Sequence, residues 1–141
     1  MKLRIKRIDK SLPLPEYDKG AACFDFYCRE DMVVDPGKIV LIPLNVAIQV
    51  PHGYVMLLFS RSSTPLKTGL IVPHGAGVVD PFYCGDKDEV LMEFMNPTDK
   101  SMSITKGQKL VQGMLVKTEE VEWEEKEEFL ESGVGGYKLS A

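Results

Sequence analysis

The sequence predicts an all-β fold, and three observations support the prediction. Short apolar or alternating runs follow one another, among them KIVLIPLNVAIQV, YVMLLFS, EVLMEFMN and KLVQGMLVK. Turn signals separate them at roughly 8–12-residue spacing, which is typical of a β-sandwich or barrel: DPG at 35–37, PHG at 51–53, NPTDK at 96–100 and KG at 106–107. No segment keeps a steady helical period, and the acidic VEWEEKEEFLE is interpreted as a solvated strand end or linker.

The remaining strands are assigned in chain order. In KLRIKRI, Leu3 and Ile5 fall on one face, and CFDFYC alternates around Asp25. The long run that begins at residue 38 is interrupted by Pro43, and GLIV and SMSIT are two further short strands. No internal repeat is visible.

Size and charge limit the classes of function. The 141 residues indicate one domain, and a hydrophobic content of 44% is enough for a packed core. The net charge of −4 argues against binding of nucleic-acid polymers, which normally requires a basic face. A small anionic ligand remains compatible, because it needs only a few cations in one place.

Cysteine usage and hydropathy predict a cytoplasmic, reduced and soluble protein. The three cysteines, Cys23, Cys28 and Cys84, are odd in number and scattered, so they do not suggest a disulfide framework. The sequence has no Cys-x-x-Cys pair, so a zinc site is not expected. The basic N-terminus lacks the apolar run of a signal peptide. No apolar stretch approaches the roughly 20 residues that span a membrane.

The chain is divided into residues 1–130, a β-barrel domain, and residues 131–141, a flexible glycine-rich tail. Glycines at 133, 135 and 136 favour flexibility in this tail. Composition alone favours the interpretation that the tail is disordered and has no function. The alternative is a lid that closes over a site and places Tyr137 there.

Five segments together carry a family resemblance: AACFDFYCRED, RSSTPLKTGL, GAGVVDPFYCGDKDEV, GQKLVQGML and GVGGYKLSA. In this order and spacing they resemble the five motifs of the trimeric all-β dUTPases, from Ala21 to Ala141. The second and third segments are the specific ones. The resemblance implies a distorted, jelly-roll-like β-barrel that assembles as a homotrimer with shared active sites. It also implies Mg²⁺-dependent hydrolysis of dUTP to dUMP and pyrophosphate.

The resemblance implies a role in phosphate chemistry for several residues. Asp80 is expected to be the catalytic base that activates water. Arg61, Ser62 and Ser63 match the second motif, and Gln112 the fourth. All four are expected to approach the triphosphate, and the resemblance implies that a neighbouring subunit supplies Arg61 and Ser62. Asp25 is expected to hold magnesium through water.

The nucleoside is expected to lie in the third motif. Gly77 and Val78 belong to the hairpin that would accept uracil through backbone groups. The second and third segments resemble the Gram-positive and phage branch of the family, and His74 stands where that branch usually has Asn. The ring of Tyr83 would pack under the deoxyribose and exclude a 2′-hydroxyl, and Tyr137 would stack on the base.

Other interpretations stay open at this point. Taken singly, Asp80 is a turn carboxylate, Tyr83 a core aromatic and Arg61–Ser62 a solvated pair. The tail departs from the family pattern, with Ser132 in place of an Arg and Tyr137 in place of Phe. The alternatives are a dCTP deaminase-like enzyme, a non-catalytic nucleotide-binding or regulatory protein on the same fold, and a purely structural β-module.

Overall fold

The computed structural model describes residues 1–129, in which eleven strands and one short helix are found. The strands are β1 (Arg4–Arg7), β2 (Glu16–Tyr17), β3 (Phe24–Asp25), β4 (Met32–Val34), β5 (Ile39–Pro43), β6 (Val46–Gln49), β7 (Tyr54–Ser60), β8 (Gly77–Val79), β9 (Leu91–Met95), β10 (Met102–Ile104) and β11 (Val111–Lys117). Helix α1 spans Ser63–Thr68. The predicted all-β class is confirmed. The tail at 131–141, with Tyr137, lies outside the described residues.

Four antiparallel sheets share one core. The largest has the order β2-β3-β11-β7-β8, and the others pair β1 with β6, β4 with β10 and β5 with β9. Each sheet buries alternate apolar side chains in the same cluster, because successive strand residues face opposite sides. Ile48, Leu58, Phe94 and Ile104 represent the four sheets in that cluster. Within residues 1–129 there is no helix long and apolar enough to cross a membrane.

Strand β11 is the centre of the largest sheet. Gln112 stands opposite Asp25 of β3 on one side and Phe59 of β7 on the other. Its neighbour Gly113 is buried, and a methyl group there would lie 2.8 Å from a ring carbon of Phe26. The glycine therefore lets the core aromatics of β3 and its continuation pack directly on the β11 backbone.

Two details of the predicted strands are wrong. The long apolar run is broken at Asn45, and Pro43 is the last residue of β5. Asn45 adopts a φ of 71°, in the left-handed region that Asn visits more readily than most residues. Its side-chain amide exchanges two hydrogen bonds with the distant Asp9 backbone, at 2.7 and 2.9 Å, which hold it there. GLIV forms no strand but only a single bridge between Ile71 and Met95.

Helix α1 was not predicted from the sequence, and it begins at Ser63, two residues after Arg61. Its only proline, Pro65, is in the first turn, where a missing N–H is tolerated. Gly69 ends the helix with a φ of 73° and donates its N–H to the carbonyl of Pro65. The buried hydroxyl of Thr64 donates to the Leu110 carbonyl at 2.8 Å, which ties the helix to the segment leading into β11.

Replacing Gly113 with Ala is expected to destabilise the fold by about 1–3 kcal/mol, because the added methyl overpacks the core against Phe26 and Phe24. The measurement is urea unfolding followed by far-ultraviolet circular dichroism, because the single tryptophan, Trp123, is already 88% exposed in the folded protein. Ser103→Ala, on the exposed face of β10, is the control and should change stability by less than about 0.5 kcal/mol. An unchanged unfolding midpoint for Gly113→Ala would show that the sheet can separate to admit the methyl.

Candidate active site

Three of the predicted site residues come together at one end of the five-stranded sheet. Asp25 lies on β3, Gln112 stands opposite it on β11, and Arg61 follows the last residue of β7. The Gln112 side-chain amide donates to the Ser60 carbonyl at 3.2 Å. Together with Lys109, Glu16 and Tyr27, described below, these residues form what we call the Arg61 cluster.

An ion pair fixes the centre of this cluster. The Arg61 Nε lies 3.0 Å from Asp25 Oδ1, and the Asp25 side chain is only 8% exposed. The Arg61 backbone N–H also donates to the Leu110 carbonyl at 3.0 Å, so the residue is held at both ends. Since the bond to Asp25 uses Nε, the two terminal nitrogens of the guanidinium are left to meet an anion. Over residues 1–129 the Asp25 contact is the one salt bridge that Arg61 makes.

Three residues absent from the predicted site complete the cluster. Lys109 Nζ lies 3.0 Å from Glu16 Oε1 and 4.0 Å from Asp25 Oδ2, and it sits 5.2 Å from the centre of the Tyr27 ring. The Tyr27 hydroxyl donates to the same Glu16 oxygen. The Tyr27 bond, with the help of Lys109, lowers the pKa of Glu16, and the bond to Glu16 raises the pKa of Lys109. The charges of Glu16 and Lys109 therefore persist at neutral pH.

Asp80 is exposed and directly follows Val79, the last residue of β8. It borders a groove of about 770 Å³ whose wall includes Val55, Val78, Phe82 and Thr118. A turn follows directly, in which the Tyr83 N–H donates to the Asp80 carbonyl at 3.1 Å. Asp80 is thus a strand-end carboxylate facing open space, held by a turn that also sets the position of Tyr83.

Tyr83 is hydrogen-bonded to Glu89, a residue that also forms an ion pair with Arg29. The Tyr83 hydroxyl donates to the Glu89 backbone carbonyl at 2.8 Å, and burial raises the pKa of Tyr83, so it remains a neutral donor. The Glu89 carboxylate is 11% exposed and is bound by Arg29 Nε at 2.5 Å. Arg29 comes from the first motif segment and Glu89 from the third, so the pair links two motifs, and the sequence analysis missed it.

The other predicted nucleoside residues flank β8. Gly77 is buried, and a methyl group there would lie 3.1 Å from Leu58 Cβ and Met92 Sδ, so a side chain at this position would press on the core. Val78 points outward with 61% exposure. His74 is exposed just before the strand, and its Nδ1 is 3.7 Å from Glu93 Oε2.

The two serines of the second motif lie beside Arg61. Ser62 is the N-cap residue of α1, yet its side chain makes no capping hydrogen bond, and Ser63 is the first residue of the helix. Ser62 is exposed. Its hydroxyl is therefore presented to solvent next to the guanidinium.

The two groups of predicted residues are far apart in one chain. Met56 of β7 pairs with Val79 of β8, so Asp80 lies beyond Met56 at one end of β7, and Arg61 lies beyond Ser60 at the other. Six residues of strand separate the two positions, which is about 20 Å at a rise of about 3.3 Å per residue. A single chain does not bring Asp80 and Arg61 to the same small ligand.

The residues around Asp25 suit magnesium chemically. Nowhere in residues 1–129 do three or more His, Cys, Asp or Glu side chains converge as a metal cage. Mg²⁺ does not need such a cage, because it usually keeps several waters and takes one or two carboxylates beside substrate phosphates. Asp25 and Glu16, which pair across β2 and β3, supply hard carboxylate oxygens of that kind.

Comparison with known proteins identifies the family. The family model described as dUTPase matches residues 9–140. The chain belongs to the dUTPase family. Among its relatives, the deoxyuridine 5′-triphosphate nucleotidohydrolase of Dictyoglomus turgidum is 33% identical over 143 residues, which cover 96% of this chain and 95% of the relative. The Hydrogenobaculum protein of the same name is 35% identical over 124 residues, covering 86% and 84%.

Solved dUTPase structures have the same fold. The Streptococcus mutans dUTPase superposes with a TM-score of 0.77 at 28% identity, covering 84% of this chain and 98% of that one. A variant of the dUTPase of staphylococcal bacteriophage 80alpha, in complex with dUpNHpp, superposes with a TM-score of 0.80 at 27% identity, covering 91% and 89%. The predicted resemblance to dUTPases, including phage and Gram-positive ones, is confirmed.

Replacing Arg29 with Met is expected to destabilise the protein by about 2 kcal/mol, because it leaves the nearly buried Glu89 carboxylate without its cation. Breaking a fully buried pair costs about 3–5 kcal/mol, and the partial exposure of Arg29 lowers that figure. Urea unfolding at pH 7 measures the loss.

The matched control is Lys6→Met, which breaks the well-exposed pair between Lys6 and Asp86. Surface pairs of this kind contribute about 0–1 kcal/mol. Equal losses for the two variants would contradict a supporting role of the Arg29–Glu89 pair.

Proposed function

We propose that this protein hydrolyses dUTP to dUMP and pyrophosphate. The proposal extends to this chain the activity for which its relatives are named, deoxyuridine 5′-triphosphate nucleotidohydrolase. The observation that carries it is that one sheet holds two separate half-sites. One is the exposed carboxylate of Asp80 at the end of β8, and the other is the Arg61 cluster, whose guanidinium can bind an anion.

Asp80 acts as the general base. It accepts a proton from a water molecule as the water oxygen attacks the α-phosphorus, and the bond from that phosphorus to the β-phosphate oxygen breaks. Pyrophosphate leaves with the bonding electrons, and dUMP keeps the new oxygen. Because the turn to Tyr83 begins at the Asp80 backbone, the carboxylate is held on a rigid element, which favours a fixed attack geometry.

Arg61, Ser62, Ser63 and Gln112 hold the triphosphate. The two terminal nitrogens of Arg61 form a planar fork suited to phosphate oxygens, and its positive charge does not titrate. The Ser62 hydroxyl and the Gln112 amide add neutral donors next to that fork. These donors stabilise the negative charge that builds on the leaving pyrophosphate.

The nucleoside binds along β8. The backbone of the hairpin at His74, Gly77 and Val78 accepts uracil, and the Tyr83 ring lies under the sugar and leaves no room for a 2′-hydroxyl. The Tyr83 hydroxyl is already occupied by the Glu89 carbonyl, which keeps the ring in place. Residues 1–130 form the hydrolase domain, and Tyr137 in the tail at 131–141 closes over the base.

Magnesium is the proposed cofactor. Asp25 would hold it through water, with Glu16 close by, and when bound the ion neutralises charge on the triphosphate. A dUTPase of staphylococcal phage phi11 is described with a structural Mg(II) ion. Asp25 also holds Arg61, so its carboxylate serves the cation fork as well as the metal.

The active protein is a homotrimer with shared sites. The separation of about 20 Å between Asp80 and Arg61 in one chain leaves each half-site incomplete, so a neighbouring copy supplies the other half. The outer face of the β5–β9 sheet also exposes Ile39, Leu41 and Leu91, and an apolar strand face of this kind is typical of an interface. The three cysteines of the protein, Cys23, Cys28 and Cys84, are free thiols, which is compatible with a reducing compartment such as the cytoplasm.

A substrate panel tests the reaction. Wild-type protein with Mg²⁺ is expected to release pyrophosphate from dUTP and far less from UTP, dCTP or dTTP, and to release no ammonia from dCTP. Asp80→Asn should retain dUTP binding but lower turnover by about a hundred- to ten-thousand-fold, since it removes the general base. Ammonia release from dCTP, or full turnover by Asp80→Asn, would contradict the assigned reaction.

Mixed trimers test the shared site. Arg61→Met and Asp80→Asn chains are each expected to be inactive alone. After mixing, unfolding and refolding in equal amounts, random assembly gives an intact Asp80 facing an intact Arg61 in about one quarter of the sites, with activity to match. Asp80→Asn mixed with Asp80→Ala is the control, which cannot complement. If differently tagged chains co-purify but the mixture is no more active than either single variant, the two residues do not share a site across subunits.

A further inference from the structure

We propose that Lys109 is a second cation of the triphosphate subsite and that it contacts the phosphates that leave as pyrophosphate. This inference rests on the proposed function. The observation that carries it is a pair of cations on one carboxylate: Asp25 lies 3.0 Å from Arg61 through one oxygen and 4.0 Å from Lys109 through the other.

Lys109 lies in the short segment that leads into β11, close to the assigned residues. It lies three residues before Gln112, and its neighbour Leu110 accepts hydrogen bonds from both the Arg61 backbone and the Thr64 hydroxyl. These two hydrogen bonds hold the backbone next to Lys109 against Arg61 and helix α1. Its side chain is 27% exposed, so the ammonium can reach a ligand at the surface.

The ammonium has donors to spare. Glu16, at 3.0 Å, is the sole hydrogen-bond acceptor for Lys109 in the described part of the chain, because Asp25 at 4.0 Å is beyond hydrogen-bond distance. An ammonium carries three N–H donors. At least one of them faces neither carboxylate and is available to a phosphate oxygen.

Releasing Glu16 costs little. The Glu16 side chain is 53% exposed, so its ion pair with Lys109 contributes little free energy. A phosphate carries more negative charge than a carboxylate and therefore attracts the ammonium more strongly. When Lys109 turns away, the Tyr27 hydroxyl still donates to Glu16, so the carboxylate keeps a partner. The Tyr27 ring keeps the ammonium near the cluster during this exchange, as cation–π contacts do.

The location of Lys109 indicates which phosphates it meets. The α-phosphorus must lie next to Asp80, which acts on it from the other half-site. The Arg61 cluster therefore approaches from the opposite side, where the β- and γ-phosphates extend. A ligand that lacks those two phosphates should not sense Lys109.

The test compares ligands that differ in phosphate number, using the full chain in Mg²⁺ buffer. Lys109→Met is expected to raise the Kd for the non-hydrolysable analogue dUpNHpp about tenfold, the low end for a charged hydrogen bond, while the Kd for dUMP changes by less than about twofold. Lys109→Arg should recover the dUpNHpp affinity to within about threefold. Lys100→Met, whose ammonium makes no salt bridge in residues 1–129, is the matched control.

The alternative is that Lys109 merely ties β2 to β11. In that case Lys109→Met lowers Tm and weakens dUMP and dUpNHpp equally, and that outcome overturns the proposal; Lys109→Gln repeats the test if the Met variant is unstable. Unchanged dUpNHpp affinity in a folded Lys109→Met protein overturns it too. If the wild-type protein itself binds no dUpNHpp and releases no pyrophosphate from dUTP, the proposed function fails, and the role of Lys109 fails with it.

Discussion

The pairing of β11 with both β3 and β7 is the constraint on which the Arg61 cluster depends. Because Gln112 stands opposite Asp25 on one side and Phe59 on the other, one strand sets the distance between the carboxylate and the end of β7 from which Arg61 emerges. The buried Gly113 next to it allows the aromatic side chains of β3 to pack closely. Backbone pairing thus fixes an ion pair that side-chain attraction alone would leave loose.

The same rigidity explains why one chain cannot complete the site. A strand does not bend its two ends together, so Asp80 and Arg61, which lie beyond opposite ends of the paired part of β7, stay apart. In the proposed reaction, assembly with a second copy is what would bring Asp80 and the Arg61 fork to one triphosphate. In such an arrangement each half-site can be shaped by its own core, with Arg29 and Glu89 supporting one and Asp25 supporting the other.

Sequence patterns predicted most of the fold because alternation and turn residues are local signals. They placed β7, β9 and β11 well, and the turns at Gly37, Gly53 and Gly107 all have positive φ. Helix α1 escaped because six residues are too few for a period to appear, although Pro65 near its start and Gly69 at its end are helix signals. The break at Asn45 depends on a bond to Asp9, 36 residues away, which no local pattern contains.

The candidate site shows a similar division. Motif residues were predictable by resemblance, whereas Glu16 became visible only when β2 paired with β3 and brought it beside Asp25 and Lys109. The result is a cluster in which two cations are each matched by a carboxylate before any ligand arrives. Matched charges hold the cations in place without the repulsion that a bare pair would suffer. In the proposed triphosphate complex a phosphate replaces Glu16, the more exposed of the two carboxylates, so binding would exchange partners within a preorganised set and lose little conformational entropy.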